Sequence, residues 1–135
     1  MSDTKIALIV RHDLAMWQKL NVVAFLATGI ASETPEAIGE TYIDSNHQHY
    51  GKILGLPMLI FTANLMELQK SHRKALELEL TIIPYVEAMF TTKNDVDNRQ
   101  VFFAEDANKL NLVGLALVGH KKSVDKAIKN LKLHP

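Results

Sequence analysis

Ile6-Ala7-Leu8-Ile9-Val10 is a continuous apolar run bounded by charge, the pattern of a short strand buried on both faces. Three more short runs, at 58–61, 80–83 and 112–118, read the same way. The third is punctuated by Pro84, and the fourth carries Gly114, where a neighbouring backbone is expected to approach closely.

Between the runs the period lengthens from two to about 3.6. Trp17, Leu20, Val23, Ala24 and Ala27 keep helical spacing, and Val22, Phe25 and Leu26 beside them are also apolar. That predicts a helix buried almost all round and ending near Gly29. It holds more apolar surface than one packing face needs, and the excess predicts cover by a second copy, as a homodimer, or by loops of its own domain. Thr34-Pro35 is a helix start, hydroxyl at the N-cap and proline next, predicting a short helix to about Thr41. Residues 44–57 are polar and glycine-spaced, which reads as loop.

Asn64 with Glu67 three residues on predicts a capping box, and Leu65, Leu68, His72, Ala75, Leu76 and Glu79 trace the inner stripe of the helix that follows. Residues 92–100 read as a polar loop. The span 123–131 reads as the last helix, with Val124, Ala127, Ile128 and Leu131 inward. Strands alternating with helices predict one α/β domain over residues 1–135, a three-layer αβα arrangement around a mixed sheet of about four strands.

Composition narrows the setting. A chain of 135 residues without cysteine buries enough surface to fold with no disulfide or metal. The stretch Met1-Ser2-Asp3-Thr4-Lys5 lacks a leader pattern, and the mostly apolar stretch at 22–31 is about half of what a membrane span requires. A soluble, cytoplasmic protein is expected. Formal net charge is zero, but residues from Gly119 onward hold five lysines against one aspartate. A neutral chain with a basic end argues against broad non-specific nucleic-acid binding and leaves room for one local phosphate contact.

Three separated blocks resemble the type 2 peptidyl-tRNA hydrolases. The first is the strand at 6–10 running into Arg11-His12-Asp13-Leu14-Ala15-Met16. The second is Leu80-Thr81-Ile82-Ile83 leading to Glu87-Ala88-Met89-Phe90-Thr91. The third runs from Val113-Gly114-Leu115 through Val124-Asp125-Lys126 to Leu131-Lys132-Leu133. In finer detail, Trp17-Gln18-Lys19-Leu20-Asn21-Val22-Val23-Ala24-Phe25-Leu26 and the ending Leu131-Lys132-Leu133-His134-Pro135 are similar to the uncharacterised family labelled domain of unknown function 2000. The resemblance implies the hydrolase fold. It places Glu87 where the enzymes carry an aspartate and Phe90 where they carry an arginine. Trp17-Gln18-Lys19-Leu20 replaces a Gly-Lys-rich run that holds tRNA.

Ester hydrolysis needs a base to activate water and donors to stabilise an oxyanion. The resemblance nominates Glu87 as base, Lys19 as cation and Thr91 as hydroxyl donor. Arg11 and Asp13, two apart in extended chain, face the same way and form either a structural ion pair or part of a ligand cleft. Asp44, His47 and His49 carry a metal flavour without fitting any specific closed site, so no metal and no cofactor is assigned. Lys122, Lys126 and Lys129 share one helical face, most simply a solvated one, the alternative being an anion or nucleic-acid contact. Two functions follow. One is a non-catalytic module holding a small-molecule ligand or a protein partner in the old cleft. The other is a hydrolase of peptidyl-tRNA or a related acyl ester.

Overall fold

The apolar run at 6–10 becomes the middle of the sheet. The structure, a computed structural model, describes residues 3–135; Met1 and Ser2, the first residues of the stretch without a leader pattern, lie outside it. In chain order the elements are β1 (Thr4–Arg11), α1 (Met16–Glu33), β2 (Leu59–Ala63), α2 (Leu65–Glu77), β3 (Thr81–Val86), α3 (Asp95–Phe103), β4 (Leu112–His120), α4 (Lys121–Ala127) and β5 (Lys132–Leu133). Short 3-10 turns lie at Pro35–Ala37 and Glu87–Thr91. The sheet order is β3-β4-β1-β2-β5. β1 runs parallel to β2, and the remaining pairs are antiparallel.

Successive side chains of a strand point to opposite faces, so β1 serves two cores. Ile6 and Leu8 pack with Val22, Leu26 and Ile30 of α1. Ala7 and Ile9 pack with Leu68 and Ala75 of α2 and with Val124 and Ala127 of α4. Each fully buried Ile or Leu contributes roughly 1.5–3 kcal/mol by leaving water. Helices thus cover both faces, the α/β architecture expected, and the sheet has five strands against the four read from apolar runs. Among the described residues no helix is long and apolar enough to cross a membrane.

Several local expectations are corrected. α1 does not stop near Gly29 but runs on to Glu33. Gly29 is a contact point instead: a Cβ there would meet Ile83 Cγ2 at 2.8 Å. Nor is α1 buried all round. Only Val22, Leu26 and Ile30 are buried, while Trp17 is 58% exposed and Leu20 63%. Thr34 does not cap a new helix; its hydroxyl donates to the Ile30 carbonyl at 2.6 Å, closing α1, and only one 3-10 turn follows.

On α2 the capping box is present, with Asn64 Oδ1 accepting from the Glu67 amide at 2.8 Å. The buried stripe is Leu68, Ser71 and Ala75; Leu76 is exposed and Glu79 lies past the helix at φ 55°. The polar segment read as loop contains α3, opened by Asn94, whose side chain accepts from the Asp97 amide. The last helix is shorter than expected. Asn130, at φ 71°, turns the chain into β5, which pairs along the edge of β2.

Candidate functional site

Arg11 closes β1, and its guanidinium ties three chain segments together. Nε donates to Asp13 Oδ1 at 2.8 Å, Nη1 to Asn111 Oδ1 at 3.1 Å and to the Leu112 carbonyl at 3.3 Å, and Nη2 reaches Glu87 Oε2 at 3.4 Å. Asn111 Nδ2 donates to that same Glu87 oxygen at 2.9 Å. The Glu87 amide in turn donates to the Asn111 carbonyl at 3.0 Å, locking the start of the 3-10 turn onto the chain entering β4. The Arg11 side chain is only 12% exposed, so this charge is held by its partners more than by water. Its bond to Asp13 holds that carboxyl below the usual carboxylate range. Three of the five nominated residues, Arg11, Asp13 and Glu87, therefore meet.

Lys19 does not join them. Its Nζ lies 3.2 Å from His134 Nε2, in a cavity of about 280 Å³ lined by Val10, Met16, Leu20, Val23 and Ile60. Strand alternation explains the split. Val10 and Arg11 are neighbours in β1, so Val10 faces α1 and the lysine while Arg11 turns to the opposite side. Thr91 is exposed, and its hydroxyl donates to the Ala88 carbonyl at 3.1 Å, inside its own turn. The cavity at Lys19 includes neither Glu87 nor Thr91.

The loop of Asp44, His47 and His49 is a tight turn and not extended chain. Asp44 Oδ1 accepts from the Asn46 and Gln48 amides, and Oδ2 accepts from the Tyr50 hydroxyl at 2.7 Å. Those donors pull the Asp44 carboxyl below its ordinary range and, reciprocally, push the Tyr50 phenol up. His47 sits at φ 64°, so the shared face expected of His47 and His49 does not form. Trp17 stacks edge-on with Phe90, ring centroids 5.8 Å apart, and Phe90 continues to Tyr85 at 5.5 Å. Trp17, Phe90 and Tyr85 thus form one aromatic strip.

Two residues of the candidate site carry no signal in the sequence pattern. Asn111 and His134 lie 100 and 115 residues from Arg11 and Lys19, and single polar residues at such separations leave no periodic signal. The cue for Asn111 was weak, a lone amide just before an apolar run.

No curated protein matches the chain. A solved structure, that of a protein of unknown function from Agrobacterium tumefaciens strain C58, is 44% identical, with full coverage of both chains and a TM-score of 0.96. The family model described as protein of unknown function (DUF2000) matches residues 4–135, which contain every element and site residue described above, and this chain belongs to that family.

Proposed function

We propose that this chain is a non-catalytic binding module on the type 2 peptidyl-tRNA hydrolase fold. Its ligand is small, with one anionic group and an apolar body, and it occupies the cavity at Lys19 and His134. The observation that carries this reading is the separation of the two halves of the hydrolase chemistry. The cation, Lys19, stands over apolar walls beside an imidazole, while Glu87 is engaged by Arg11 and Asn111 on the other side of β1. An ammonium and an imidazole N–H can both donate to one carboxylate, and the apolar lining suits an alkyl chain. The cavity also takes in Val10 near the carboxyl end of β1, the end of a strand at which open α/β sheets bind ligands. NMR titration with a short-chain carboxylate such as hexanoate tests it. Saturable shifts at Lys19 and His134, lost in Lys19→Met, are expected; no shift at either residue would end the proposal.

One observation favours a second reading, a hydrolase with Glu87 as general base and Thr91 nearby. Both bonds to Glu87 fall on Oε2, and the side chain is 53% exposed, so an oriented carboxylate remains open to a water molecule. Glu87→Gln and Lys19→Ala, assayed on peptidyl-tRNA and on small acyl esters, decide between the two. Turnover by the wild type that Glu87→Gln abolishes would replace the binding module with an enzyme.

A further inference from the structure

On the opposite face of the sheet, α2 and α4 flank a groove of about 530 Å³. Lys70, Arg73 and Lys74 recur at i, i+3 and i+4 on α2, and Lys126 and Lys129 approach from the other wall. The groove also holds Glu67 and Glu77, but both are committed. Glu67 Oε1 accepts from the Asn64 amide at 2.9 Å as part of the capping box, and Glu77 pairs with Lys74 at 3.5 Å. Among the described residues, Lys70, Arg73, Lys126 and Lys129 have no carboxylate within 4.0 Å. Like charges at i, i+3 and i+4 repel. The fold worsens that repulsion by bringing up two lysines from more than fifty positions away, in a chain whose net charge is zero.

We propose that this groove binds a small phosphorylated molecule carrying two or more phosphate charges. A bound phosphate group would relieve the repulsion and accept charge-assisted hydrogen bonds from the guanidinium and the ammonium groups. The size of the groove fits a small molecule. A long polyanion needs a continuous basic track, which a chain of zero net charge does not offer beyond the groove.

Calorimetric titration of the full chain with inorganic pyrophosphate tests the proposal. Saturable binding is expected at about 50 mM salt, weakening toward about 200 mM as screening grows. Arg73→Ala and Lys129→Ala should each weaken it by about tenfold or more, the loss of a hydrogen bond to a charged group, and Arg73→Lys should recover part of that loss. Lys122→Ala, exposed at the start of α4 and outside the groove, should leave binding unchanged. Absence of saturation, or an equal loss with Lys122→Ala, would overturn the site. Tighter binding of a single-stranded RNA oligomer than of pyrophosphate would overturn the small-molecule assignment.

Discussion

Gly114→Ala adds one methyl group at the tightest approach between sheet and helix. The new Cβ would fall well inside the 3.0 Å that real Cβ contacts keep from Val22 Cγ1, and at 3.2 Å from Leu26 Cδ1. Two effects oppose each other. Replacing glycine at a backbone angle that alanine tolerates stabilises by about 0.4–1 kcal/mol through the unfolded chain, and Gly114 has no positive φ. Overpacking a filled core costs about 1–3 kcal/mol. Val22 is fully buried and β-branched, so its methyls have almost no other rotamer within a helix. The clash should win, leaving a net loss of about 1–2 kcal/mol and a melting temperature lower by about 4 °C per kcal/mol. Val22→Ala alone should cost about 2 kcal/mol, two methyls' worth of transfer plus a residual cavity. In the double variant the alanine methyl enters the space the valine leaves, so the combined loss should fall short of the sum by about 1 kcal/mol or more. Urea denaturation of the four proteins measures every leg of this cycle. A stabilised Gly114→Ala, or strictly additive losses, would refute the packing account.

Asn64→Ala should lower stability by about 1 kcal/mol, because it removes the acceptor for the Glu67 amide at the start of α2; an unchanged urea midpoint would count against that cap. Burial, with Arg73 adding to it, lowers the His72 pKa, so the unfolded chain binds the extra proton first. Stability should therefore hold above about pH 6.5 and decline as pH falls from there toward the folded-state value. His72→Gln should flatten that slope, and an unaltered slope would assign it elsewhere. Trp17, Leu20 and Phe25 leave an apolar stripe exposed on α1, so sedimentation should reveal self-association at high concentration that Trp17→Ser weakens. A clean monomer at all concentrations would remove the homodimer. Retention of tRNA on filters should be weak at moderate salt, and strong, steeply salt-dependent retention would revive the hydrolase reading.

The sequence made four strands legible because each is a run of buried apolar residues with clear borders. β5 has only two residues and no such run; it exists because the edge of β2 offers it hydrogen bonds. α3 was hidden by its polarity, although Asn94 followed by Asp97 was a readable cap. The apolar excess of α1 was legible, but periodicity reports hydrophobicity and not burial. Its exposed half therefore has the same apolar pattern as its buried half. At the site, Arg11 with Asp13 could be read because they are two residues apart. The pairing of Lys19 with His134, and of Glu87 with Asn111, depends on which face of β1 each element covers. No local pattern carries that.

β1 pairs with β4 through partners such as Lys5 with Gly119 and Ile9 with Leu115. β1 is thus completed by a strand made more than a hundred residues later. At translation speeds of about 5–20 residues per second, Ile6, Leu8 and Ile9 wait about 5–20 seconds for their β4 partners. α1 can shield one side of the run in that interval, but the hydrogen-bonding edge toward β4 stays open. Completion of the central sheet during synthesis accordingly waits for β4.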